Sequence, residues 1–151
     1  MRIVVQRVAF SKVEIGGEVS GEIERGLMVL LGITHDDEEK DMDWLIKKII
    51  NLRIFKDDQD KMNLSVQDVS GGILVVSQFT LYANSKKGNR PSYTRSAHPD
   101  VAIPLYEQFL AKLKAAFSGP IQTGEFGANM QVSLLNDGPV TIILDSKNPE
   151  Y

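Results

Sequence analysis

The sequence contains no cysteine. That excludes disulfides, thiolate nucleophiles and cysteine-based zinc sites together, and it is compatible with the cytosol. Histidine is nearly absent, with only His35 and His98. Long apolar runs are missing as well. The longest, residues 27–33, is strand length, far from the ~20 residues of a membrane span. The opening Met1-Arg2-Ile3-Val4-Val5-Gln6-Arg7 does not read as a secretory signal, because its apolar run is short and Arg7 breaks it. Nor is there an excess of positive charge. The net charge is -3 and the pI about 5.4, which argues against a protein that coats nucleic acid.

What is present fits one globular domain over residues 1–151. A chain of this size buries roughly 70% of its unfolded surface. Ile3, Val5 and Val8 alternate as in a strand. Val13 and Ile15 lead into Gly16-Gly17, and 19–23 reads as the return strand of a hairpin. The run 27–33 suits a strand buried on both faces. Residues 34–39 are rich in N-cap residues and acids, and Met42, Leu45, Ile46, Ile49 and Ile50 follow at helical spacing to about Asn51. Short strands flank the polar turn Asp57-Asp58-Gln59-Asp60. Residues 73–80 form the strongest strand, and a second helix is expected over 99–117. Pro99 suits its first turn, and Pro104 implies a kink or a later start. Three short strands, about 121–125, 130–135 and 140–145, close the chain, and the tail from Ser146 is expected to fray. The order predicts an α/β (α+β-like) sandwich with mostly antiparallel sheet and two main helices.

The charge is unevenly spread. Residues 69–99 hold no Asp or Glu but carry Lys86, Lys87, Arg90 and Arg95. The segment 83–98 reads as a long basic loop, and loops of that length are often functional. A basic loop on an acidic body suits one anionic end of a ligand.

Two motifs stand out. Ser77-Gln78-Phe79-Thr80 ends the best strand with polar residues that a core does not need. Backbone N–H groups that leave a ladder at such a point can form an oxyanion hole. Taken alone, the segment is equally a strand with a wet face. Asn136-Asp137-Gly138-Pro139-Val140-Thr141 is by composition a turn between two strands.

Together, Ser77-Gln78-Phe79-Thr80 and Gly138-Pro139-Val140-Thr141 resemble the signature motifs of D-aminoacyl-tRNA deacylases. The opening residues 1–8 and Asn89-Arg90-Pro91-Ser92-Tyr93 are similar to that family too, as are the length and element order. The resemblance implies the compact β/β/α fold of these deacylases and a homodimer. It implies hydrolysis of the ester of D-aminoacyl-tRNAs, and of mischarged glycyl-tRNA, in the cytoplasm without metal or cofactor. The terminal adenosine and aminoacyl group would bind at Ser77, Gln78, Phe79 and Thr80. Gly138-Pro139, in cis, would reach into the partner's site and capture the α-amino group, leaving no room for an L side chain. Arg7 would help to hold that motif. The backbone N–H groups of Phe79 and Thr80 would stabilise the oxyanion, and the ribose 2′-OH would position the water. Lys86, Lys87 and Arg90 are expected to meet acceptor-end phosphates.

Two other readings compete. A relative clearing other mischarged tRNAs, such as those bearing L-Ala, would use a trans Gly-Pro bond. A non-catalytic RNA-binding module would need aromatic stacking platforms with broad basic surface, which the sequence does not display. Weaker signals point elsewhere. His35-Asp36-Asp37-Glu38-Glu39 reads as a solvated helix start, with acids favoured by the helix dipole. The run from Asp57 fails the calcium-loop pattern at its sixth and twelfth positions, Met62 and Asp68. His98 reads as a helix cap, and Trp44 fits either core or dimer surface. The pairs Gly16-Gly17 and Gly71-Gly72 are turns.

Overall fold

The apolar alternation that begins at Ile3 continues past Val8, and the strand it builds carries the sheet. A computed structural model describes residues 1–150. The element order is β1 (Arg2–Ile15), β2 (Glu18–Ile23), β3 (Gly26–Gly32), α1 (Glu39–Asn51), β4 (Phe55–Lys56), β5 (Met62–Leu64), β6 (Gly72–Ser77), a 3-10 turn (Phe79–Tyr82), α2 (Pro99–Ala116), β7 (Ile121–Thr123) and β8 (Gln131–Asp145). Gly16 and Gly17 take φ of 60° and 89° between β1 and β2, a pair of left-handed conformations that glycine adopts without steric cost.

One edge of β1 is shared. Its first half pairs with β3 and its second half with β2, both antiparallel. The other edge is taken along nearly its whole length by β8, also antiparallel. The sheet continues from β3 to β6 and β7 through parallel ladders. The antiparallel ladders are the longer ones, as expected for the fold class. The apolar runs of β3 and β6 are buried on both faces. Leu27, Val29, Leu31, Ile73 and Val75 face the main core with α1 and α2. Met28, Leu74 and Val76 face a smaller core that includes Val8, Val13 and Ile23. The helical stripe Met42, Leu45, Ile46, Ile49 and Ile50 is buried throughout, and Trp44 packs partly buried against the same core, with Lys48 over its ring.

Four expectations need correction. The chain does not reverse at Asn136-Asp137-Gly138-Pro139. The segments on either side both pair with β1, so 131–145 is one strand with a bulge in it. Turn-forming composition says that the backbone leaves the ladder; it does not say that it turns back. Second, α2 starts at Pro99 and runs through Pro104. Pro104 lacks the N–H of one helical bond on an exposed position, and the helix continues. Third, His98 caps α2 through its backbone carbonyl, which accepts from Ala102 N–H at 2.8 Å, and its side chain makes no capping bond.

Fourth, neither the acidic helix start nor the tail is simply solvated. The N-terminal amine is fully buried and forms an ion pair with Asp37, and it donates to Ser146 Oγ at 2.7 Å. Ser146 N–H returns a bond to the Met1 carbonyl at 2.9 Å. Burial pushes the Asp37 carboxyl above its usual value, against the pull of the amine. Asp41 is buried too, and Lys147 Nζ reaches it at 2.9 Å. Burial alone would raise the Asp41 pKa. The bonds from Lys147 and from the Glu38 N–H outweigh it and hold the carboxyl below its usual value.

A carboxyl depressed in the folded state contributes stability above its unfolded pKa, and that contribution is lost as pH falls through the folded value. Lys147→Met is therefore expected to cost about 1 kcal/mol at pH 7. The difference from the parent protein should shrink progressively as pH falls below the ordinary carboxylate range, as read by urea unfolding at pH 7 and at a series of acid pH values.

Candidate active site

Strand β6 ends where its ladder ends. Gln78 N–H donates to the Leu31 carbonyl at 2.7 Å, the last bond to β3. The chain then tightens into the 3-10 turn, whose first internal bond runs from Leu81 N–H to the Gln78 carbonyl at 3.2 Å. The N–H groups of Phe79 and Thr80 precede that bond, so they are the orphan donors of the turn. A cavity of about 270 Å³ opens here. Ser77, Gln78 and Phe79 form one wall, Ala97 and Ala102 a second, and Phe126 and Met130 a third. Its lining is mainly apolar, with polar groups concentrated at the strand end. Gln78 Nε2 donates to Thr80 Oγ1, so the Thr80 hydroxyl faces an amide donor and has no base as its partner.

The turn is fastened from outside. Ser96 Oγ donates to the Phe79 carbonyl at 2.7 Å, and Arg2 Nη1 donates to the Leu81 carbonyl at 2.9 Å. Arg2 also holds Asp145 at 2.7 Å and lies 5.0 Å from the Tyr82 ring centre. The Tyr82 hydroxyl is buried without a hydrogen-bond partner among the described residues, and burial pushes its pKa well up.

The segment 83–98 is more ordered than a plain loop. Asn84 and Ser92 exchange backbone bonds of 2.8 and 2.9 Å, which confines Lys86, Lys87 and Arg90 to the exposed tip between them. Thr34 Oγ1 donates to the Arg95 carbonyl at 2.6 Å and Ala97 N–H to the Ile33 carbonyl at 2.9 Å. His35 and His98 lie 5.7 Å apart by ring centres, and neither lines the cavity. Phe79 and Tyr93, both exposed, meet edge to face at 5.0 Å. This is an aromatic surface beside a basic tip, which the sequence alone did not display.

The second motif is a bulge in β8. Gln6 pairs with Thr141 and Val8 with Asn136, so Arg7 alone stands opposite residues 137–140. The Gly138-Pro139 bond is cis, and both residues are exposed. Arg7 is buried beneath them. It donates through Nε to the Asp137 carbonyl at 2.9 Å and through Nη1 to the Ile54 carbonyl at 2.5 Å, and its Nε lies 3.3 Å from the Asp137 carboxylate. Asn136 closes the neck of the bulge, accepting from Val140 N–H at 2.9 Å. Gly138 has φ of 137°, and a Cβ there would lie 2.9 Å from Arg7 Nη2. The position is therefore closed to other residues by both conformation and space.

The structure brings Ser77, Gln78, Phe79 and Thr80 together at one end, and Arg7, Gly138 and Pro139 at another. Arg7 is level with Leu27, at the start of β3. Ser77 is level with Leu31, near its end. Four residues of strand separate the levels, about 13 Å, and Gly138-Pro139 does not line the cavity. Sequence reasoning missed Ser96, Phe126, Met130 and Asn136. Only Asn136 carried a signal, as an Asx residue at a chain bend.

Comparisons with known proteins give the family and the fold. Residues 4–145 match the family described as D-Tyr-tRNA(Tyr) deacylase. A D-aminoacyl-tRNA deacylase of Flavobacterium johnsoniae is 57% identical over 150 residues, covering 99% of this chain and all of the relative. That of Bacteroides fragilis is 55% identical with the same coverage, and that of Thermosipho africanus is 57% identical over 97% of this chain and 98% of its own length. Among solved structures, a c-Myc DNA unwinding element binding protein superposes with a TM-score of 0.91 at 44% identity, over 96% of this chain and 98% of that one. A probable eukaryotic D-amino acid tRNA deacylase shares the fold with a TM-score of 0.79 at 17% identity, over 95% and 97%. The chain belongs to the D-aminoacyl-tRNA deacylase family.

The clamp makes its own prediction. Arg7→Met keeps the apolar stem but leaves the Asp137 and Ile54 carbonyls without their donor, at an expected cost of about 2–4 kcal/mol. Urea unfolding should read that loss. Amide hydrogen exchange at 136–140 should accelerate more than in the rest of β8.

Proposed function

We propose that the protein hydrolyses the ester of D-aminoacyl-tRNAs to free D-amino acid and tRNA, as one domain spanning residues 1–151, in the cytoplasm. One observation carries the reading: the strand end that lines the cavity runs straight into a 3-10 turn whose first N–H groups, those of Phe79 and Thr80, have no partner within the turn, and the Thr80 hydroxyl has no base beside it. An aminoacyl ester is already activated, so positioning and charge stabilisation suffice. Water attacks the ester carbonyl, helped into place by the substrate's ribose 2′-OH. The negative charge that forms on the carbonyl oxygen meets the N–H groups of Phe79 and Thr80, each worth about 3 kcal/mol in favourable cases. The bond to the ribose oxygen then breaks, and that oxygen takes up a proton. Ser77 and Gln78 position the terminal adenosine and aminoacyl group. No metal or cofactor enters this scheme.

Chiral selection falls to Gly138-Pro139 of a second subunit. Within one chain the wedge and the cavity lie at opposite ends of the β3 ladder, which favours delivery across a dimer. β8 offers a free strand edge for that pairing, with Val132, Leu135 and Ile143 exposed along it. The wedge carbonyls accept from the substrate α-amino group, and the wedge leaves no space for an L side chain. Selection is by exclusion, so many D side chains, and glycine, pass. Arg7 holds the wedge, and Lys86, Lys87 and Arg90 meet acceptor-end phosphates.

The deciding experiment incubates the protein with D-Tyr-tRNA and L-Tyr-tRNA in the presence of a chelator. Release of D-Tyr alone is expected, and release of neither or of both would overturn the reading. Thr80→Ala should keep activity within about tenfold, because removal of a true nucleophile costs about 10⁶.

Salt tests the basic tip separately. Replacing Lys86, Lys87 and Arg90 together by Ala should lower the slope of log affinity for tRNA against log salt by about 2. An unchanged slope would remove the tip from the interface.

A further inference from the structure

Two large aromatic side chains at the mouth of the cavity are left uncovered. Phe79 is 55% exposed and Tyr93 39%. Phe79 lines the cavity, so its ring marks the boundary between the enclosed space and the outside. Tyr93 stands against it, with ring centres 5.0 Å apart and planes at 73°. An edge-on contact leaves at least one face of each ring uncovered by the other.

The pair is also held still. The Phe79 carbonyl accepts from Ser96 Oγ at 2.7 Å, and Ser96 N–H donates to the Tyr93 carbonyl at 2.9 Å. One serine therefore ties both backbones together. Thr34 Oγ1 anchors the same turn through the Arg95 carbonyl at 2.6 Å. The exposed tip bearing Lys86, Lys87 and Arg90 begins just before Tyr93, beyond the Asn84–Ser92 bridge. Fixed aromatic faces next to exposed cations are what single-stranded nucleic acid selects: bases stack on the rings and phosphates meet the charges. A peptide partner would call for a groove or a free strand edge, which this spot lacks.

We propose that Phe79 and Tyr93 form a stacking platform for the unpaired base that precedes the terminal adenosine of the RNA substrate. The inference rests on the deacylase reading for its substrate but concerns a different nucleotide. With the last adenosine in the cavity, the strand must leave past Phe79 and reach the basic tip. Tyr93 lies on that path. It is a positioning residue that touches no reacting atom.

The test compares two substrates: D-Tyr-tRNA, and D-Tyr esterified to adenosine alone, which has no preceding base. Tyr93→Leu keeps apolar bulk without a ring face. It is expected to raise KM for the tRNA ester about tenfold with kcat little altered, so that the preference for tRNA over the adenosine ester falls by the same factor. Tyr93→Phe, which keeps the ring, should restore that preference. Equal losses on both esters, or no loss on the tRNA ester, would overturn the platform. A second measurement does not depend on catalysis. tRNA with 2-aminopurine before its terminal adenosine should lose fluorescence on binding the parent protein and keep it with Tyr93→Leu. If neither ester is cleaved, the deacylase reading falls. The fluorescence then decides the platform alone: a quench that needs the Tyr93 ring supports it, and the absence of one overturns it.

Discussion

At Arg7 the longest ladder in the molecule is forced open. β1 and β8 pair from Arg2–Asp145 to Glu14–Gln131, and the register breaks on both sides of Val8. Four residues of β8 must be accommodated opposite one residue of β1. A bulge of that size would leave several backbone groups without ladder partners. The buried guanidinium supplies donors to two carbonyls, Asp137 and Ile54, and Asn136 satisfies the N–H of Val140. A charged side chain is thereby buried with its hydrogen bonds made, the condition under which burial of charge is tolerated. The exposed Gly138-Pro139 pair is held in place by the bonds that lie under it.

The start of β1 holds the other motif. Arg2 spans Asp145 at the end of β8 and the carbonyl of Leu81 in the 3-10 turn. The buried N-terminal amine, Asp37 and Ser146 lock the chain ends against the start of α1. The turn that offers the Phe79 and Thr80 N–H groups is therefore braced by the termini on one side and by Ser96 on the other. Both motifs hang from one strand, at Arg2 and Arg7, its first and sixth residues. A change in the register of β1 would displace the two together.

These relations explain what could be read from the chain and what could not. The stripe of α1 and the doubly buried runs of β3 and β6 were legible, since periodicity and run length report burial directly. The start of β6 was legible for the same reason, but its end was not: the strand expected over 73–80 stops at Ser77, and Phe79–Tyr82 form a 3-10 turn. Composition located the bulge but not its topology. Asn136-Asp137-Gly138-Pro139 has the same make-up whether the chain reverses or merely steps out. The difference lies in which residues of β1 stand opposite, and pairing over more than 120 residues of sequence leaves no local mark. Asp37 read as a solvated acid because its partner, the chain's own amine, is 36 residues away in sequence, and the burial of Asp41 against Lys147 left no local mark for the same reason. Phe79 and Tyr93 are separated by a loop, so their contact was invisible until the Ser96 bonds placed them.

A site built this way puts its demands on the backbone rather than on reactive side chains. On the proposed mechanism the donors are the amides of Phe79 and Thr80, and the wedge is the exposed pair Gly138-Pro139. Side chains such as Arg7, Arg2, Ser96 and Asn136 act by holding main-chain atoms in position. Preorganised amides need no reorientation when charge develops, which is why they are effective in an enclosed apolar space. The same arrangement also accounts for breadth. In the proposed scheme no side chain of the cavity has to match the substrate's side chain, and discrimination reduces to whether the obstacle leaves room. A backbone obstacle cannot be tuned by rotamer changes, and it gives the same answer for large and small side chains alike. If selection works by exclusion as proposed, rigidity at Arg7 becomes a requirement of selectivity, because a wedge that yielded by about an ångström would admit the other enantiomer.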